Sequence, residues 1–156
     1  MTDQFVEIDD SGWGDLIAST VIVCRTHDDR RSFRVLEMAH FQEDFPKQTY
    51  LNRTYEVILD MLEELSITNE YEFRMCEGYV LKTAREKLME DGFNVVLTKI
   101  KGETQNYAES RFNDILHRLK CSRNQDLMRR WLKEDEPNRR KYAKTGWKSY
   151  KRIALG

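Results

Sequence analysis

Histidine, cysteine and long apolar runs are all scarce in this chain of 156 residues, and each scarcity excludes a class of function. The three cysteines, Cys24, Cys76 and Cys121, are odd in number, widely spaced and free of any CxxC pair, so neither a disulfide framework nor a zinc site is indicated. His27, His40 and His117 stand in separate segments, and no Ser-His-Asp arrangement accompanies them. Gly12 and Gly14 form a single GxG that does not open a helix, so a phosphate-cradling glycine loop is absent. No apolar run approaches the length, on the order of 20 residues, that a bilayer span needs. The start, MTDQFVEIDD, has no basic n-region or apolar h-region. A cytoplasmic protein with no membrane partner is the expectation.

A net charge of -1 says little about partners, but its distribution says more. Residues 1–120 hold 15 Lys/Arg against 23 Asp/Glu, whereas residues 121–156 hold 11 against 4. An acidic body therefore carries a basic tail. With 40% hydrophobic residues the length suits one core, so we read 1–120 as a domain and 121–156 as a basic C-terminal extension appended to it.

Phe5–Asp10, Leu16–Cys24 and Phe33–Met38 are rich in Val, Ile and Phe and are separated by turn-forming or charged stretches, the pattern of three antiparallel strands. From Tyr50 the period changes, with Leu51, Tyr55, Ile58, Leu59, Leu62 and Leu65 marking an amphipathic helix. A short strand over Phe73–Cys76, a helix over Tyr79–Glu90, a strand over residues 93–100 and a third helix carrying Tyr107, Ala108, Phe112, Ile115, Leu116 and Leu119 follow. Strands separated by helices imply crossovers to parallel neighbours. The expected fold is α/β: a mixed five-stranded sheet with helices on its faces and a helical basic extension, in which QDLMRRWLKED forms a short helix before Pro137 interrupts.

The informative acids lie where strands end. Asp9 and Asp10 close the first strand, Glu77 follows the fourth, and Glu103 follows the fifth just beyond Gly102. In an open sheet, functional groups collect beyond the C-terminal ends of parallel strands. Four converging carboxylates repel, since two charges about 4 Å apart cost about 4 kcal/mol at an effective dielectric near 20. Oxygen ligands without His or Cys favour Mg²⁺ or Mn²⁺, and two such ions about 3.5–4 Å apart support phosphodiester hydrolysis.

These motifs resemble those of type 2 ribonuclease H. The run Asp9-Asp10-Ser11-Gly12-Trp13-Gly14 is similar to that family's Asp-Glu-Ala-Gly-Arg-Gly, Glu77-Gly78 to its Asp-Gly after the fourth strand, and Lys101-Gly102-Glu103 to its Lys-Gly-Asp after the fifth. The order of strands and helices over roughly the first 120 residues also agrees with the ribonuclease H-like fold. The resemblance implies a nuclease acting on RNA or an RNA/DNA hybrid, with Asp9, Asp10, Glu77 and Glu103 as catalytic metal ligands for Mg²⁺ or Mn²⁺. It also implies that the backbone around Gly12 and Gly14 approaches a ribose 2'-hydroxyl. Departures are Glu at 77 and 103, Asp at 10, and Trp13 in place of arginine, where an indole can stack on a sugar or base.

For nucleic-acid contact the sequence offers Gly12, Trp13, Gly14 and Lys101 beside the acids, and Arg129, Arg130, Arg139, Arg140, Lys141, Lys144, Trp147 and Lys148 in the tail, with Lys151, Arg152, Tyr142 and Tyr150 nearby. Plainer readings stand beside these. Asp, Ser and Gly are ordinary turn formers. Glu103 suits a helix's first turn, where the dipole favours an acid. Glu56, Asp15 and Asp114 are further acids best read as solvated, and Cys76 reads as a small buried residue. The alternatives to a nuclease are a non-catalytic nucleic-acid-binding or scaffold module, and a protein-interaction domain whose tail docks an acidic partner.

Overall fold

The computed structural model describes residues 3–155; residues 1, 2 and 156, the outermost of the two segments read from the sequence, lie outside the described residues. Five strands form one sheet: β1 (Phe5–Ser11), β2 (Val21–Thr26), β3 (Arg31–Val35), β4 (Glu72–Met75) and β5 (Asn94–Leu97). The helices are α1 (Thr49–Glu64), α2 (Lys82–Glu90), α3 (Glu103–Arg118), α4 (Gln125–Glu134), α5 (Glu136–Arg139) and α6 (Lys148–Leu155). The sheet order is β3-β2-β1-β4-β5, with β1–β2 and β2–β3 antiparallel and β1–β4 and β4–β5 parallel. The expected mixed architecture is therefore present. Among the described residues, no helix is long and apolar enough to cross a membrane.

Alternation along the strands divides two cores. Val6 and Ile8 of β1, Ile22 and Cys24 of β2, and Phe73 and Met75 of β4 face Val57, Ile58 and Met61 of α1 and Ala84 and Leu88 of α2. Val21 and Val23 face the opposite way, onto Ala108, Phe112 and Leu116 of α3. That second core also takes in Cys121, Met128, Leu132 and Ala143. Residues past 120 thus pack into this core. The 3.6-residue stripe of Met128 and Leu132 needs a dry partner, and α3 supplies it. Asn124 caps α4, its side-chain oxygen accepting from the backbone N–H of Asp126 at 3.0 Å and Leu127 at 3.1 Å. Pro137 lies in the first turn of α5, where a missing N–H costs little.

The element boundaries shift where burial has a source other than strand pairing. Leu16–Thr20 is as buried as a central strand but lies outside β2, which starts at Val21. Ile17 bridges Ala143, Ala18 N–H donates to the Tyr142 carbonyl at 2.7 Å, and Lys144 N–H donates to the Leu16 carbonyl at 2.8 Å. The apolar run is dry because the C-terminal segment covers it. Likewise β3 sits two residues early, at Arg31–Val35, and β5 stops at Leu97, whereas α3 begins at Glu103, just past Gly102, as expected.

Candidate metal centre and nucleic-acid interface

The register builds the site. β1 pairs with β4 only as far as Ile8 opposite Met75, yet continues alongside β2 to Ser11 opposite Val21. Asp9 and Asp10 therefore have a strand on one side and, on the other, the gap left where β4 ends. Strand alternation sends their side chains to opposite faces. With no neighbour in the gap both still reach Cys76, and one oxygen of each carboxylate and the Cys76 Sγ lie within 4.8 Å of one another. The Cys76 thiol donates to Asp10 Oδ1 at 3.3 Å, and its backbone N–H donates to the Ile8 carbonyl at 3.3 Å.

The chain beyond β4 is shaped to this contact. A Cβ on Gly78 would stand 2.9 Å from Asp10 Oδ1, so only glycine lets the backbone cross the carboxylate without displacing it. Arg85 of α2 donates to the carbonyls of Cys76 at 2.8 Å and Gly78 at 2.9 Å, pinning the loop. Burial pushes the Asp10 carboxyl up to about 6; the Cys76 hydrogen bond and Arg85 pull it down, and the charges of Asp9 and Glu109 push it further up. Asp9 is also raised, mainly by burial. The Cys76 thiol is raised by burial and then by the two acids, so it stays protonated and serves as a donor. Neither aspartate forms an ion pair among the described residues.

The other two acids do not join them. Glu77, one residue past Cys76, is exposed and outside the cluster. Glu103 sits elsewhere: its carboxylate lies 3.7 Å from Arg31 Nη2. After β5 the chain returns to the start of β1 before α3 begins, so that Thr104 Oγ1 donates to Glu7 Oε1 at 2.5 Å and Phe112 packs beneath Gly12. Glu103 therefore faces the wrong end of β1 to share an ion with Asp9. The α3 acid beside Asp9 is Glu109, about 9 Å further along the helix axis. It is held by Arg123, which also reaches Asp15 at 3.2 Å and the Ser11 hydroxyl at 3.3 Å. Glu109 was legible only as the neighbour of Ala108 on the inward stripe.

No protein-family model and no curated protein matches this chain. The functional reading rests on its geometry.

Several residues assigned to nucleic acid have structural partners instead. Gly12 is buried with φ +96°, and a Cβ there would stand 2.2 Å from Phe112 Cε1. Its close approach is to Phe112, not to a ribose. Gly12→Ala should therefore cost about 3 kcal/mol, combining left-handed strain with overpacking, measurable as a shift in urea midpoint. Gly14 is exposed, and its carbonyl accepts from Gln125 Nε2 at 3.0 Å. Trp13 is half-buried among Phe41, Tyr50, Tyr79 and Trp147, with ring centroids 5.0–5.8 Å away, so neither indole is a free platform.

Lys144 is the clearest correction. It is fully buried, its ammonium donating to the carbonyls of Gly12, Asp15, Ala18 and Ser19 at 2.5–2.9 Å, and it contacts no solvent. Arg139 lies 4.4 Å over the Trp131 ring and pairs with Glu134, Arg140 is held by Glu136, and Arg129 lies 3.5 Å from Asp126. Lys101, Arg130, Lys141 and Lys148, with Lys151 and Arg152, are exposed.

Proposed function

We propose that this chain has a ribonuclease H-like fold and is a divalent-cation-dependent nuclease acting on RNA or RNA-containing duplexes. One observation carries the reading: the order β3-β2-β1-β4-β5, with Asp9 and Asp10 at the C-terminal end of the central strand beside the end of parallel β4. The donor set fits Mg²⁺ or Mn²⁺. Two carboxylates of raised pKa without a cationic partner are what a divalent ion would stabilise, and the neutral Cys76 thiol adds no soft ligand. Asp9 and Asp10 would hold the ion, and the exposed Glu77 would supply a further oxygen. The reading takes one ion rather than two, because Glu103 is beside Arg31.

A divalent ion there would acidify a bound water and offset charge on the phosphodiester oxygens. The chain's own residues do the positioning. Cys76 orients Asp10 by its hydrogen bond, Arg85 fixes the Cys76–Gly78 backbone, and Arg123 holds Glu109 in an ion pair. Exposed cations of the C-terminal segment would hold the phosphate backbone.

The test is cleavage of labelled RNA, DNA and RNA/DNA hybrid under Mg²⁺ or Mn²⁺. Activity should fall by at least about 10³-fold in Asp9→Asn combined with Asp10→Asn, the scale of removing transition-state electrostatics. Cleavage that survives the double substitution would exclude this site. The non-catalytic module remains a second reading, favoured by the Glu103–Arg31 and Glu109–Arg123 pairs, which leave two acids at the site. It requires salt-sensitive binding with no hydrolysis under any metal.

A further inference from the structure

A cleft of about 590 Å³ lies away from the carboxylates, between residues 42–46 and the C-terminal segment 137–151. Its walls are locked together. Gln42 Nε2 donates to the carbonyls of Lys141 at 3.2 Å and Ala143 at 3.0 Å, and Gly146 N–H donates to the Phe41 carbonyl at 3.0 Å. Gly146 lies so close that a Cβ there would stand 2.5 Å from Phe45 Cβ. The cleft is therefore preformed.

Its lining is basic. Lys141 and Lys151 are exposed and make no ion pair among the described residues, and Thr145 adds a hydroxyl. Arg140 also lines it, but its guanidinium is committed to Glu136 by bonds of 2.7 and 2.8 Å; Glu43 is the one acid on the wall. Lys141 Nζ lies 5.2 Å over the Tyr142 ring, and the two unpaired charges of Lys141 and Lys151 set the cleft's preference for an anion. Its position links it to the carboxylates through one row of aromatic contacts: Gly146 adjoins Trp147, Trp147 meets Trp13 at 5.3 Å, and Trp13 meets Tyr79, next to Gly78, at 5.8 Å. Tyr79 is 42% exposed, the open ring at the end of that row.

We propose that this cleft is a preformed subsite for the sugar-phosphate backbone of a nucleic-acid strand, with Lys141 and Lys151 as its phosphate contacts, on a strand that continues past Tyr79 to the carboxylates. The proposal rests on the nucleic-acid part of the reading above and not on its catalytic part. A lone anion would be served by the two lysines, but the exposed Tyr79 ring, on the way from the cleft to Asp9 and Asp10, gives a polymer a further contact.

The test is fluorescence anisotropy of labelled single-stranded RNA and of an RNA/DNA hybrid, in EDTA, across a salt series. Lys141→Gln combined with Lys151→Gln should weaken hybrid binding about tenfold and lower the slope of log affinity against log salt by about 1.8, two phosphate contacts. Lys99→Gln with Lys120→Gln, an equal loss of charge from exposed positions outside the cleft, should change neither. Asp9→Asn with Asp10→Asn should still bind. If the cleft pair behaves like the control, the cleft proposal fails while the catalytic reading stands. Wild-type protein that binds no polynucleotide at low salt would overturn both. Binding that depends on the two lysines without cleavage under any metal keeps the cleft and removes the nuclease. Displacement by inorganic phosphate at constant ionic strength, equal to that by unlabelled strand, would assign a free-anion site and overturn the proposal. Both lysines are exposed, so the Lys141→Gln/Lys151→Gln protein should melt as the wild type does.

Discussion

Ending the chain at Lys120 should leave no cooperatively folded protein, and Lys144→Met alone should cost about 3–5 kcal/mol, the range for breaking a buried charged group from its partners. The ammonium has three N–H groups for the four carbonyls of Gly12, Asp15, Ala18 and Ser19, so every donor is engaged. Methionine fills a similar volume but donates nothing, and buried carbonyls without a partner cost about 1–3 kcal/mol each. Burial pulls the Lys144 pKa down to about 7; the Asp15 charge opposes that and the Arg123 charge adds to it. The same nitrogen lies 5.3 Å from the Phe41 ring of one core and 5.9 Å from the Phe112 ring of the other. Losing it would loosen both. Truncation removes Met128, Leu132 and Ala143 as well, exposing the α3 face they cover. Urea denaturation followed by far-UV circular dichroism measures the first effect, and near-UV signal with exchange protection the second. A cooperative transition in the truncated chain would mean that residues 1–120 form a domain by themselves.

Asp10→Asn should stabilise the metal-free protein at pH 7, by at most about 3 kcal/mol, and by almost nothing at pH 4. The sign follows from the raised carboxyl. Burial lifts Asp10 from 3.8 to about 6, so between those values the folded state keeps a proton that the unfolded chain has lost. Its contribution is fully present below about pH 4 and is lost as pH rises through about 6. At pH 7 the folded protein carries an unfavourable buried charge. Asparagine removes that charge, and its Oδ1 still accepts from the Cys76 thiol. A divalent ion would remove the same cost by another route. Mn²⁺ at about 100 times its dissociation constant should stabilise the wild type by about 2.7 kcal/mol and leave Asp9→Asn/Asp10→Asn unaffected. Thermal melts at pH 4 and pH 7, with and without Mn²⁺, measure both effects. A variant no more stable than wild type at pH 7 would mean that Asp10 is solvated and the crevice is not a site.

Much of the fold is legible in the amino-acid order. The change from alternating residues in Phe5–Asp10 to a 3.6-residue stripe from Tyr50 reports local backbone geometry, and local geometry needs only neighbouring residues. Asp9 and Asp10 were legible for a related reason: being adjacent at a strand end, they need no distant partner to stand together. Glu103 was misplaced because its position depends on where the segment between β5 and α3 returns to the sheet, which no local pattern encodes. Lys144 was misread because a lysine in a cationic run normally points to water. Its burial depends on four carbonyls more than 120 residues away in sequence.

By itself, then, the amino-acid order determined which segments are strands and helices and which two carboxylates end the central strand. Only the tertiary structure decided that Cys76 rather than Glu103 stands against them, that Glu109 is the acid of α3 beside Asp9, and that the basic tail closes the second core. The physical reason is range: periodicity and turn chemistry act over a few residues, whereas sharing an ion or filling a carbonyl cage requires side chains far apart in sequence to meet within a few ångströms.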